Sequence, residues 1–239
     1  MQKNKNLQIE GLRAFAIISV VLFHVFCRYL QIYMNQSIWW MENLGSIAVN
    51  LFFLISGYFS CTKTNLFKKL LRLWPGLFLS VLFSSVLLSL LPLPNKSLSF
   101  LQIITNAFSI NALFNIPYVD GAHWYIHTLI ILLFWAALLK KRQTTVWFLF
   151  FIICNIILIL DIKIIPHFWG NTYINCFLSG CMLMKWDKTR DKLALFTIVL
   201  SVFFIFITQG LLLGFAFACT TILFMALFPQ MVVDKFKMT

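Results

Sequence analysis

Two ionisable residues lie within the first long apolar stretch of the chain, and both have side chains that catalyse reactions in other proteins. Arg13 and His24 are eleven residues apart. Eleven helical steps leave two residues about 20° apart in azimuth and about 16 Å apart along the axis. Titratable groups inside a membrane span are costly and are functional candidates, and an imidazole with an ordinary pKa of about 6.5 suits general-base chemistry. The alternatives are an arginine that extends to phospholipid headgroups and a histidine bonded between helices.

A basic run at residues 68–75 follows the second apolar stretch. Within it, Arg72 can bind a phosphate through its planar guanidinium, and Lys69 can do so as a point charge. Cations beside a span are equally the usual signal of membrane topology. Before this run, Ser56 and Gly57 are small residues that let a helix or a ligand approach the backbone closely. Ordinary helix packing is the simpler interpretation of those two.

Two histidines four residues apart, His123 and His127, open the fourth apolar stretch, with Trp124 and Tyr125 between them. Residues four apart share a helix face. A zinc site needs a third protein ligand nearby, and the sequence indicates none, so we expect no metal. The four residues predict either a polar rim that binds substrate or an interfacial aromatic belt. No Ser or Cys in the chain has a partnered base that the sequence makes evident.

The elements that carry these residues are membrane-spanning helices. Of 239 residues, 61% are hydrophobic and 11% are charged, and the mean hydropathy is +0.90. A soluble domain has about a quarter of its residues charged, so the composition excludes a soluble globule. Runs of about 20 apolar residues predict spanning helices. We therefore expect an all-α polytopic transmembrane bundle that forms a single domain, 1–239. The eight predicted spans are 12–32, 44–61, 70–91, 122–139, 145–160, 171–185, 194–209 and 211–228.

Positive charge predicts the topology of these spans. Lysines and arginines cluster at both termini and after the second, fourth and sixth spans, while the alternate loops hold only Arg28, Lys96 and Lys163. The positive-inside rule then puts both termini in the cytoplasm and residues 92–121 outside. The stretch 99–114 is too polar for a span, and we expect it at the interface. The net charge of +12 is thus explained without a nucleic-acid partner.

Four motifs, taken in order, resemble acyltransferase family 3, a family of bacterial membrane enzymes that O-acetylate surface polysaccharides. The resemblance covers at least residues 9–129, beginning with the opening stretch 9–14, and Phe177-Leu178-x-Gly180 extends it more weakly. The motifs are Arg13-x10-His24, Phe52-Phe53-x-Ile55-Ser56-Gly57, the basic run with Arg72 and Pro75, and His123-Trp124-Tyr125.

The resemblance implies a multi-pass protein of the bacterial cytoplasmic membrane that takes an acyl group from cytosolic acyl-CoA, with acetyl-CoA as the expected donor. The acceptor would be a hydroxyl of a surface polysaccharide or of its lipid-linked precursor. In that scheme His24 is the general base, and Arg13 holds the donor or an oxyanion. Donor binding is expected of Lys69, Arg72, Ser56 and Gly57, and acceptor binding of His123, Trp124, Tyr125 and His127.

Two departures from the family pattern leave alternatives open. Lys69 stands where the family usually has Arg, which weakens a bidentate phosphate contact. The chain has eight predicted spans where the family usually has ten, and the customary closing segment is not found, so a shortened, truncated or inactive member is one alternative. A transporter or flippase for a polar lipid-linked sugar is the rival from another class. Transporters often carry paired internal repeats with broken helices, and the sequence shows no convincing repeat.

Overall fold

The computed structural model of the chain is all-helical. It describes residues 7–27, 30–31, 34–36, 38–61, 66–90, 98–114, 116–160 and 173–227. Within those ranges it has nine α-helices and no strand. The helices are α1 (Leu7–Leu22), α2 (Trp39–Ser60), α3 (Leu66–Leu90), α4 (Phe100–Ala107), α5 (Trp124–Leu139), α6 (Thr144–Ile159), α7 (Ile174–Thr189), α8 (Lys192–Gln209) and α9 (Leu211–Leu227).

Three of these helices are long and apolar enough to cross a membrane, namely Trp39–Ser60, Phe67–Leu90 and Lys192–Gln209. Shorter apolar helices cover Gly11–Cys27, Trp124–Leu139, Thr144–Ile159 and Leu211–Ala226. Large apolar side chains on α3 face outward, as a lipid-facing helix requires, with Leu79 65% and Phe83 66% exposed. The predicted all-α polytopic bundle is confirmed. The cytoplasmic orientation of the termini stays a prediction, and Lys3, Lys5, Lys235 and Lys237 lie outside the described residues.

The chain divides into two compact units, and the single domain of 1–239 stays a prediction. The first unit comprises residues 1–59 and 172–239. Its centre is α7, in which residues 174–184 are all buried. The helices α8 and α9 form a tight hairpin at Gly210, the one residue between the last two predicted spans, and its positive φ of 91° suits glycine.

Helices α2 and α7 touch backbone to backbone at two glycines. A Cβ atom placed on Gly57 would lie 2.0 Å from the carbonyl oxygen of Phe177, and one on Gly180 would lie 2.0 Å from that of Leu54. Neither distance leaves room for any side chain. Small residues at a helix crossing give the close approach on which packing in lipid depends. Two separate motifs of the sequence, around Gly57 and around Gly180, therefore meet in one helix contact.

The second unit comprises residues 60–171, with α3 as its longest described helix. The helix α3 continues through Pro75. A buried cluster of Leu77, Val81, Ala107 and Val119 joins α3 to the stretch that follows it.

Amide side chains organise this following stretch. Asn106 Nδ2 donates to the carbonyl oxygens of Gln102 (2.8 Å) and Pro117 (3.1 Å), and its Oδ1 accepts from the backbone N–H of Val119 at 3.2 Å. Asn111 Nδ2 donates to the carbonyl oxygen of Ile116 at 3.2 Å. Both asparagines are buried. Buried backbone polar groups outside regular structure need such partners, so the amides hold residues 116–119 in place.

Candidate active site

Arg13 lies on α1 and contacts the end of α2. Its guanidinium carbon is 5.2 Å from the centre of the Phe59 ring, and the side chain is half-buried. This separation allows a cation–π interaction. The neighbouring Tyr58 donates its hydroxyl to Asp187 Oδ2 at 3.2 Å, which ties the same end of α2 to α7. The Arg13 guanidinium thus packs against Phe59, a residue of the same unit.

His24 lies in a π-helical turn, Phe23–Cys27, that continues α1. Such turns are rare and occur often at functional sites. The Phe23 ring packs directly over Gly45 of α2, where a Cβ atom would lie 2.8 Å from the ring. This contact fixes the turn against α2. The His24 side chain is exposed and meets the Phe23 ring edge-on at 5.1 Å. Residues 13–22 are α-helical, whereas the turn that contains His24 is π-helical. That Arg13 and His24 share one helix face therefore stays a prediction.

Ser56 and Gly57 take part in the contact between α2 and α7. Ser56 is half-buried. Gly57 is buried against Phe177, and its carbonyl oxygen accepts from Cys181 Sγ at 3.3 Å. The structure therefore places Gly57 in helix packing, the simpler of the two interpretations of the sequence. A contact between either residue and an acyl donor stays a prediction.

Lys69 and Arg72 lie three residues apart near the start of α3 and so are neighbours on its surface. Arg72 is exposed and Lys69 is half-buried. About one and a half turns of helix separate Arg72 from Leu77 of the buried cluster, and both cations lie at the N-terminal end of the candidate span Phe67–Leu90.

His123 and His127 are both buried, with 5% and 3% of their surfaces exposed. His123 ends a 3-10 turn, Gly121–His123, and its Nε2 lies 2.9 Å from Ser80 Oγ of α3. His127 lies one turn further, where its Nδ1 is 3.1 Å from Ser109 Oγ. Residues of an interfacial belt face headgroups, whereas these two imidazoles face protein. Each forms a pair with a serine.

The other residues near these histidines are aromatic. Trp124 and Tyr125 are half-buried and meet edge-on at 6.3 Å. The Tyr118 ring meets the His127 ring edge-on at 6.2 Å. Burial raises the pKa of the Tyr118 hydroxyl, although a hydrogen bond with Asn111 lowers it in part. Tyr118 is therefore a neutral phenol at physiological pH.

Residues 98–123 lie alongside α3. Trp74 Nε1 donates to the carbonyl oxygen of Ala107 at 3.1 Å, and its ring lies 5.9 Å from that of Phe108. Trp74 is sixteen residues before the end of α3 at Leu90, a distance of about 24 Å along the axis. The described part of the stretch 92–121 packs against the helix of a candidate span, and its location outside the membrane stays a prediction. Non-helical backbone that is buried requires polar partners, which Asn106 and Asn111 supply.

Over the described ranges, no three His, Cys, Asp or Glu side chains come together as a group that could hold a metal ion.

A comparison with protein-family models matches residues 6–233 to the acyltransferase domain of family 3. The chain belongs to acyltransferase family 3. A comparison with curated proteins finds no match, and one with solved structures finds none either. Membership of this family makes the chain a membrane acyltransferase, with an acyl donor and an acceptor as its substrates.

The family match extends over both units, including the α2–α7 contact that brings Gly57 to Gly180 and the two Ser–His pairs. Sequence reasoning missed Ser80 and Ser109 because serines are common in apolar helices and turns, and Ser80 is 43 residues from His123 in the chain. It also missed Phe59 as the partner of Arg13. A signal for Phe59 was present, since it lies two residues after Gly57, the last residue of that motif.

Proposed function

We propose that the chain is an O-acyltransferase that moves an acetyl or other acyl group from cytosolic acyl-CoA to a hydroxyl of a cell-surface polysaccharide or its lipid-linked precursor. The observation that carries this proposal is the match to the acyltransferase domain over residues 6–233. The proposed location is the bacterial cytoplasmic membrane, with both termini in the cytoplasm. Acetyl-CoA is the proposed donor.

The donor is proposed to bind at Lys69 and Arg72. Coenzyme A carries phosphates, and a guanidinium binds them with two parallel hydrogen bonds where a lysine offers a point charge. The exposure of Arg72 at the beginning of α3 supports this role, because a soluble donor needs access to the side chain. Ser56 and Gly57 are proposed as further donor contacts on α2.

His24 is proposed as the general base. A sugar hydroxyl is a weak nucleophile until its proton is removed, and an imidazole near its ordinary pKa can remove it. Its exposed position in a π-helical turn supports this role. Arg13 is proposed to stabilise the oxyanion of the transition state or to hold the donor. Acceptor binding is assigned to His123, Trp124, Tyr125 and His127.

A transfer assay tests the proposal. Purified protein in lipid nanodiscs is mixed with radiolabelled acetyl-CoA and a crude lipid-linked glycan fraction, and label in the glycan is measured. We expect label to enter the glycan as an alkali-labile ester and free CoA to appear in equal amount. Movement of the glycan across liposomes with no loss of acetyl-CoA would favour a flippase and contradict the proposal.

A further inference from the structure

The Ser80–His123 pair has the arrangement of an activated nucleophile. Ser80 Oγ lies 2.9 Å from His123 Nε2. A hydroxyl within about 2.6–3.2 Å of an imidazole is the geometric signature of a serine made nucleophilic by a base. The serine is exposed and the histidine is buried, so a substrate can reach the oxygen while the protein fixes the base.

Two further serines of α3, Ser85 and Ser89, show what an ordinary helical serine does here. Ser85 Oγ donates to the carbonyl oxygen of Val81 at 2.7 Å, and Ser89 Oγ donates to that of Ser85 at 2.8 Å. Such bonds to the preceding turn are the usual arrangement of serine inside a helix. Ser80 differs, because its oxygen faces an imidazole from another element.

The depth of the pair along α3 matters for an enzyme whose donor and acceptor lie on opposite sides of a membrane. Ser80 is ten residues before Leu90 and thirteen after Phe67, the limits of the candidate span. Those separations correspond to about 15 Å and about 20 Å. A group attached to Ser80 is therefore near the middle of the span. The neighbouring cluster of Leu77, Val81, Ala107 and Val119 is buried and apolar, which strengthens electrostatic interactions close to it.

We propose that Ser80 carries the acyl group as a serine ester between donor and acceptor, with His123 as its base. The proposal rests on the proposed function, since acyl-CoA supplies the group. In the first half, His123 Nε2 takes the Ser80 proton and Oγ attacks the thioester carbonyl. The carbon–sulfur bond then breaks, and CoA leaves as a thiolate.

In the second half, a base removes the acceptor's proton and the acceptor oxygen attacks the ester carbonyl. The bond between the acyl carbon and Ser80 Oγ breaks, and His123 returns the proton to that oxygen. The base releases the acceptor's proton to water and the CoA thiolate takes one up, so serine, imidazole and base are regenerated. The sum is one thioester and one hydroxyl converted to one ester and one thiol, with no further reactant.

Trapping the ester tests this proposal. The purified full chain is incubated with radiolabelled acetyl-CoA without acceptor, denatured, and digested for mass spectrometry. We expect label on the peptide that contains Ser80, stable to neutral hydroxylamine and released by alkaline hydroxylamine, as a serine ester is and a cysteine thioester is not. Ser80→Ala should lose this label completely. His123→Gln should slow its formation about 10²–10⁴-fold, the usual contribution of a general base.

Two matched variants control for folding and for site. Ser85→Ala removes a serine of the same helix that bonds to the backbone, and Ser109→Ala removes the serine of the other Ser–His pair. Both should keep the label on Ser80. Ser80→Cys should also become labelled, now as a thioester that neutral hydroxylamine cleaves.

The outcomes separate the two proposals. If folded Ser80→Ala protein transfers the acyl group to the glycan at the normal rate, or carries as much radiolabel as the parent protein, the acyl-serine proposal is overturned. The proposed function is then unaffected. An absence of both label and transfer in the parent protein overturns the proposed function and the ester with it. Label on Ser80 that chases into the glycan when acceptor is added supports both.

Discussion

His24 combines a titratable side chain, exposure and a rare backbone conformation in one position. The π-helical turn widens the helix at Phe23–Cys27, and such turns persist where a side chain must be displaced from the regular helical register. The Phe23 ring is fixed by its packing over Gly45 of α2. The imidazole is therefore held by its backbone and by an aromatic neighbour, and it remains accessible.

Replacing His24 should abolish transfer and leave the fold intact. If the imidazole is the general base, His24→Ala loses about 10²–10⁴-fold in turnover, and His24→Gln is nearly as poor because an amide has no useful basicity. Turnover and thermal stability are measured on the same detergent-purified samples. A lower melting temperature with normal turnover in the folded fraction would make His24 a structural tie, with His123 or His127 as the next candidate bases.

Arg72 should matter for donor affinity far more than for folding, because its side chain is exposed. Arg72→Ala should weaken acyl-CoA binding about tenfold or more, since hydrogen bonds to charged groups are worth about 1.5–3 kcal/mol. Isothermal calorimetry measures the affinity. Lys68→Ala is the matched control, as an exposed cation of the same run. Unchanged CoA affinity in folded Arg72→Ala protein would reduce the basic run to a topology signal.

At the scale of elements, the contact between α2 and α7 has no tolerance for a side chain at its two glycines. Gly57→Ala must push the helices apart, because the added carbon would lie 2.0 Å from a backbone oxygen. Overpacking costs typically about 1–3 kcal/mol, and a backbone clash is at the upper end of that range. We expect a clear fall in the melting temperature of the purified protein.

Gly76→Ala is the control for that experiment, since a Cβ on this α3 residue meets nothing within 4 Å. Alanine is also the better helix former by about 0.5–1 kcal/mol. We therefore expect Gly76→Ala to be neutral or slightly stabilising. Equal melting temperatures for Gly57→Ala and Gly76→Ala would contradict the helix contact described here.

The stretch after α3 should depend on Asn106. Asn106→Leu keeps the number of side-chain heavy atoms and removes three hydrogen bonds, leaving the buried Val119 N–H and the Pro117 carbonyl with one partner fewer each. An unsatisfied buried group costs about 1–3 kcal/mol. We expect faster proteolysis within residues 108–121 and a lower melting temperature. Asn43→Leu, whose bond to Trp39 is exposed, is the control, and matching behaviour of the two variants would rule out this role.

The spans and the hairpin at Gly210 followed from the sequence because they depend on local composition. The π-helical turn at His24 and the Ser80–His123 pair did not, since each depends on contacts between residues far apart in the chain. The burial of side chains in the stretch 98–114 could not be predicted either, for a physical reason. Their amides look suited to water, but Gln102 and Asn106 are buried and bond to backbone, while Phe100 and Leu101 are 78% and 61% exposed.

At the scale of the whole molecule, the distribution of positive charge predicts how the chain lies in the membrane. A cysteine introduced as Lys141→Cys, in a background with the six native cysteines replaced, should react with an impermeant maleimide only after the cytoplasmic side is opened. Residue 141 follows α5 in a basic loop and is exposed, and basic loops remain in the cytoplasm. Labelling in intact cells would invert the predicted topology.

The burial of α7 bears on how the protein is assembled. This helix carries Asn175 and Ser179 in its fully buried part, so bare lipid is a poor environment for it. Its partner α2 is translated much earlier, and the Gly57–Gly180 contact can form only once both are present. The hairpin of α8 and α9 is translated after α7. The first unit therefore cannot assemble until α7 has been translated. In a nascent chain that stops before residue 174, the glycine face of α2 is exposed to lipid or to chaperones.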